Sequence, residues 1–177
     1  MSRAAVTDDA SFVTIGIDRE VFAVPVETVL EILELRPVFR IPEAPAHLMG
    51  LIDVRGRAVA VIDLRTKLGL PRVAADDNTR IVVLDVAIEG RRLALGLVAD
   101  RVFEVITLDA RQIEQPPDIG TRWHSDYIRG IGRRLDSFVV VLDLVRLFSD
   151  DAAALMAAKS NPPPTLDGDA PSGSKAA

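Results

Sequence analysis

Asp63, in the run Ile62-Asp63-Leu64, and Asp143, in Leu142-Asp143-Leu144, are the side chains whose type and placement most suggest chemistry. Brought into one cleft with a histidine, the two carboxylates would make a small carboxylate-based acid–base site. Both nevertheless close similar apolar runs, where a carboxylate commonly accepts hydrogen bonds from a turn or a cap. That structural role is the reading adopted. The two histidines, His47 and His124, stand outside any ligand spacing such as HExxH. Gly130-Ile131-Gly132 is not a phosphate loop, because Leu135 stands where a third glycine would be and the next segment reads as strand. Ser11, Ser125, Ser137 and Ser149 lack a nucleophile-elbow motif. With no cysteine, disulfides, thiolate metal sites and cysteine nucleophiles are excluded together. No catalytic residue, metal site or cofactor is expected.

The elements around these residues are short and apolar. Phe12–Ile17 alternates Val13, Ile15 and Ile17 with Thr14 and Gly16, and Asp18-Arg19-Glu20 turns it into Val21–Val26, a hairpin. Residues 58–64, 80–88, 91–98 and 138–144 read as further strands, the last so continuously apolar that it must be covered on both faces. Helical pattern is confined to residues 150–159, with acids at the start and a lysine at the end. The chain also says much the same thing twice. GLIDVRGRAVAVIDLRTKL (50–68) is answered by GIGRRLDSFVVVLDLVRLF (130–148), FAVPV (22–26) by LALGL (93–97), and VLEI (29–32) by VFEV (102–105). Two related β units follow from pairs repeated in the same order. Residues 71–79 read as the polar break between them, with 115–121 as its counterpart before Trp123; Trp123 and Tyr127 are expected to cover the edge of a core.

Bulk properties set the class. A chain of 177 residues, 49% hydrophobic, can bury a substantial core. A net charge of −5 lacks the basic footprint of a nucleic-acid binder. No run reaches the ~20 apolar residues of a membrane span, and the first residues lack the apolar block of a secretory signal, so a cytoplasmic location without membrane insertion is expected. What remains is surface. Residues 26–35 and 41–57 set apolar side chains beside isolated charges, Arg55 between Val54 and Gly56 among them, in regions rich in proline and glycine. Such a face gains association energy from its apolar groups and register from its charges.

At this level the sequence resembles the CheW family of chemotaxis coupling proteins. The likeness runs from about Phe12 to Leu155 on VLEI (29–32), RIPEAP (40–45), GLIDVRG (50–56), VVLD (82–85), VADRVFEVITLD (98–109), IEQPP (113–117) and YIRGIG (127–132). It implies an all-β fold, two five-stranded SH3-like β-barrels packed together with a short C-terminal helix. The expected divisions are an N-terminal extension (1–11), a CheW-like domain (12–156) and a disordered Pro-rich tail (159–177). Within the domain the first barrel is placed at about 12–75, the second at about 76–148 and the helix at about 150–158.

The resemblance implies an adaptor that couples the cytoplasmic tips of methyl-accepting chemoreceptors to the histidine kinase CheA, alongside other CheW-like proteins in array rings. It puts Val29, Glu31, Met49 and Gly50 on the face that docks the CheA regulatory domain, and Arg55 and Val105 at the receptor. Two departures bear on charge preference: Asp53-Val54 stands where the family usually has Asn-Leu, and Met49 replaces a frequent basic residue. An adaptor of another chemosensory output, such as surface motility, is the alternative within the family. A small barrel enzyme built on Asp63 and Asp143 is the alternative outside it.

Overall fold

The computed structural model describes residues 8–115 and 125–160. Among these residues ten strands run in order: β1 (Asp9–Ile17), β2 (Glu20–Pro25), β3 (Val29–Glu34), β4 (Leu48–Val54), β5 (Arg57–Asp63), β6 (Arg80–Ile88), β7 (Arg91–Ala99), β8 (Arg101–Asp109), β9 (Ile128–Arg134) and β10 (Ser137–Leu142). The helices are α1 (Leu64–Lys67), α2 (Leu144–Ser149) and α3 (Ala152–Ser160). Trp123, His124 and the tail lie outside the described residues, as does most of 115–121.

Two five-stranded sheets form, in the orders β8-β1-β2-β10-β9 and β3-β6-β7-β5-β4. Position for position, β8 corresponds to β3, β1 to β6, β2 to β7, β10 to β5 and β9 to β4. This is the internal repeat in three dimensions, for β5 and β10 each pair antiparallel with the preceding strand and parallel with the equivalents β7 and β2. The expected split at residue 75/76 is corrected by this topology. Each sheet takes a two-stranded hairpin from one half and three strands from the other, because β1 pairs with β8, 90 or so residues away, while β6 pairs with β3. The counterpart assigned to residues 71–79 is corrected too. Residue 115 follows β8 and leads toward β9, so the matching connection is the one between β3 and β4.

Each sheet curls until the connection that follows one edge strand meets the opposite edge strand. Phe39, in the β3–β4 connection, exchanges backbone hydrogen bonds of 2.8 Å with Leu51 of β4, and Glu114 does the same with Ile131 of β9 at 2.8 and 2.9 Å. Gly50 and Gly130 sit at these seams: a Cβ on Gly50 would lie 1.9 Å from the Phe39 carbonyl oxygen, and one on Gly130 2.4 Å from a methyl of Ile113.

The continuous apolar runs have a direct explanation. Alternate residues of one strand face two different cores. Val59 and Val61 fill the interior of their barrel with Ile52, Ile81 and Val83, while Ala60 and Ile62 join Val82 and Leu84 in a larger cluster shared by both sheets and the helices. Phe12, Ala23, Ile106, Leu108, Val139 and Val141 fill the other barrel. Burying both faces favours β-branched residues on both, which is why these strands do not alternate with polar residues.

Asp63 and Asp143 cap α1 and α2. Asp63 accepts from the Arg65 backbone N–H at 3.1 Å and the Thr66 hydroxyl at 2.9 Å, and Asp143 accepts from the Arg146 backbone N–H at 3.1 Å. The strands expected at 58–64 and 138–144 therefore end at these caps, Leu64 and Leu144 instead opening α1 and α2, short helices that were not expected. The helix placed at 150–158 is α3, beginning two residues later.

Candidate docking surfaces

Two ionic clusters hold the sheets and α3 together and leave the outer surfaces free for contact. Arg65 of α1 grips Asp100 with bonds of 2.9 and 2.8 Å and lies 3.6 Å from Asp18 in the β1–β2 turn, so it ties one barrel to a turn of the other. Burial pushes the Asp100 carboxyl up, but the Arg65 hydrogen bonds and that from the Asp18 backbone N–H outweigh it and hold Asp100 below its ordinary range. Deeper, Asp151 accepts from Lys67 at 2.8 Å and stands 2.6 Å from His47 Nε2, anchoring α3 beside β5. Burial lowers the Lys67 ammonium, yet the hydrogen bond and charge of Asp151 prevail and raise it. Tyr127, half-buried against the shared core, lies with its ring 5.0 Å from Lys67 and donates to Asp150 at 2.9 Å. Its expected packing role is what the structure shows.

Neither aspartate of the sequence-level acid pair joins a site. Each is engaged by its own helix cap, and His47 belongs to Asp151. Among the described residues no group of three or more acidic or histidine side chains could hold a metal ion, and no helix is long and apolar enough to cross a membrane.

The structure places the six expected contact residues unequally. Val29 is half-buried against the shared core, Met49 half-buried against its barrel's interior, and Gly50 buried at the seam with no side chain to offer. The outward positions of β3 are the alternate ones, Leu30 at 56% and Ile32 at 43% exposure, with Phe39 exposed close to the same edge. The alternation of β3 carries that information, since neighbouring residues on a strand point to opposite faces, but only pairing shows which face is outside.

Arg55 is a turn residue between β4 and β5. With φ of 53° followed by 79° at Gly56, it is the first residue of a two-residue hairpin loop with both φ positive, and Asp53 braces the loop by accepting from the Gly56 N–H at 2.8 Å. Its guanidinium reaches Glu31 across the barrel seam at 3.0 Å, joining an expected receptor contact to an expected kinase contact. Val105 lies on β8 of the other sheet, 58% exposed.

The repeat reproduces this arrangement. Glu104, the counterpart of Glu31, pairs with Arg134 at the tip of β9, and Phe103 and Val105 project where Leu30 and Ile32 do. The Arg134 hydrogen bond holds Glu104 below its ordinary range. Each barrel thus closes with a Glu–Arg pair beside two exposed apolar side chains.

Two closed barrels that turn apolar strand faces and charged turns outward define a β-barrel binding scaffold. The CheW-like domain family model matches residues 11–152, and the chain belongs to that family, whose members are chemotaxis scaffold and adaptor proteins. Chemotaxis protein CheW of Klebsiella aerogenes is 31% identical over 153 residues, 86% of this chain and 90% of that protein. Chemotaxis protein CheW of Treponema pallidum is 28% identical over 146 residues, 82% of this chain and 86% of that one. The crystal structure of the scaffolding protein TtCheW from Thermoanaerobacter tengcongensis matches with a TM-score of 0.72 at 27% identity, covering 84% of this chain and 94% of that chain.

Proposed function

We propose that this chain is a non-enzymatic, cytoplasmic adaptor that places the regulatory domain of CheA beside the cytoplasmic tip of a chemoreceptor within membrane-associated arrays. The observation that carries this reading is the Glu31–Arg55 pair: one ion pair at a barrel seam links the two residues expected at different partners, next to exposed Leu30 and Ile32. Apolar side chains at the centre of a contact supply most of its energy, and flanking charges set orientation and rate of encounter. On this reading the kinase docks on Leu30 and Ile32 with Glu31 at the rim, and Arg55 faces the receptor with Val105. Kinase output then follows from the relative placement of the two partners.

Substitution separates the faces. Glu31→Lys weakens binding of the CheA regulatory domain at least tenfold by calorimetry while the melting temperature holds. Arg55→Ala binds that domain normally and loses receptor control of kinase activity in reconstituted arrays. Full receptor control by Arg55→Ala, or unchanged kinase affinity in Glu31→Lys, removes the corresponding residue from its site.

A further inference from the structure

A groove of about 400 Å³ runs along the β3–β4 connection, floored by Ile41, Leu48 and Met49 and rimmed by Arg36, Arg40 and Arg72. No acidic side chain among the described residues lines it. Arg36 donates to the Asp53 carbonyl and Arg72 to the Ala46 carbonyl, so both are positioned by backbone oxygens that leave their charge uncompensated. Among the described residues none of the three arginines forms an ion pair. An apolar floor under a cationic rim fits an extended peptide with an apolar anchor followed closely by carboxylates.

We propose that the chain's own C-terminal segment, residues 162–169, occupies this groove. The segment reads PPPTLDGD: Leu166 is the single large apolar side chain beyond residue 160, and Asp167 and Asp169 follow it at once. Three prolines before the anchor favour the extended polyproline conformation, so little conformational entropy is lost on lying in a groove. The attachment point is close. Asp151, just before α3, is bound to His47, whose neighbours Ala46 and Leu48 line the groove. The nine residues of α3 carry the chain about 13 Å away. The stretch from Ser160 to Leu166 reaches about 20 Å when extended, enough to return along the whole helix in whichever direction it points. A tether of that length gives an effective concentration on the order of millimolar, so a weak contact is well occupied. Because Met49 lines the groove, the segment also competes with the kinase there; that consequence rests on the reading given above, whereas the docking does not.

The absence of cysteine permits a clean test in the full chain. A nitroxide on Ala170→Cys is read by the amide signals of the isotope-labelled protein. Signals of Ile41, Ala44, Leu48 and Met49 lose more than half their intensity against the reduced label. Arg40→Glu with Arg72→Glu restores them, and adding Asp167→Arg with Asp169→Arg to that variant brings the loss back. Uniform faint broadening, a loss centred on another surface, indifference to the arginine substitutions, or a loss seen only when nitroxide and isotope are on separate molecules overturns the proposal.

Discussion

Gly50 and Arg55, both expected at partners, answer to different physics. Gly50 stands where the Phe39 backbone passes so closely that any Cβ would meet its carbonyl oxygen at 1.9 Å, and its φ of 144° is itself a conformation that L side chains rarely adopt. Backbone cannot yield as a flexible side-chain tip can, so Gly50→Ala destabilises by about 3 kcal/mol, at the upper end of overpacking costs. Chemical denaturation measures this directly, and any loss of kinase binding in that variant follows from a displaced seam. Arg55 is the opposite case. Its side chain is 85% exposed and its partner Glu31 22% exposed, so the ion pair contributes only about 0–1 kcal/mol, and Arg55→Ala melts normally. Internal pairing and the proposed receptor contact are thus compatible in one arginine: the pair orients a group whose stabilising effect is small.

Among the elements, α3 is the one whose attachment depends on a buried charge. Lys67 is held in the interior by Asp151, which also contacts His47, and Ala152 and Leu155 complete the shared core. Asp151→Ala leaves the Lys67 ammonium uncompensated in a desolvated place, which costs about 3–5 kcal/mol. Amide exchange over α3 rises in that variant, whereas Asp63→Ala or Asp143→Ala, which each remove only a helix cap, cost about 1 kcal/mol and leave α3 protected. Equal effects from all three substitutions would show that Asp151 acts as no more than a cap.

The whole molecule is held by exchange. Each sheet combines a hairpin from one half of the chain with three strands from the other, so residues 1–75 alone leave β1 without β8 and β3 without β6. Unpaired edges and half-covered strands cannot sustain a fold. The separate fragments 1–75 and 76–177 are each unfolded by circular dichroism and regain β-structure on mixing; a fragment that folds alone contradicts the exchange.

Acid acts at the same scale, through Asp100, whose Arg65 contact ties the barrels. Its folded pKa lies below the unfolded value of about 3.9, so its contribution is complete above that pH and is lost as pH falls through the folded value. Asp109, held low by Arg111, and Glu104, held low by Arg134, add in the same direction. Asp100→Asn therefore lowers stability at pH 7 by about 1–2 kcal/mol and flattens the acid limb of the stability profile below about pH 4.

The division between what was legible in the chain and what was not follows from range. The strands β1, β2, β5, β6, β7 and β10, the β1–β2 turn, the capping role of Asp63 and Asp143, the repeat and the family rest on local pattern and ordered motifs, and local pattern survives in the one-dimensional chain because side-chain period and turn chemistry act over a few residues; β3, β4, β8 and β9 were not read as strands. The exchange of hairpins was not legible, since an apolar strand states that it will pair but not with whom. Nor was α2, whose apolar Leu144-Val145 resumes the apolar run of β10 with only the Asp143 cap between them. The exposed face of β3 was half legible. Residues 26–35 were read as surface, but that Leu30 and Ile32 rather than Val29 point outward required knowing which side of β3 faces the core. Glu31 meeting Arg55, Glu104 meeting Arg134 and Lys67 meeting Asp151 are facts of the tertiary structure alone, for each joins residues 24, 30 or 84 positions apart whose approach is set by barrel closure and by the docking of α3.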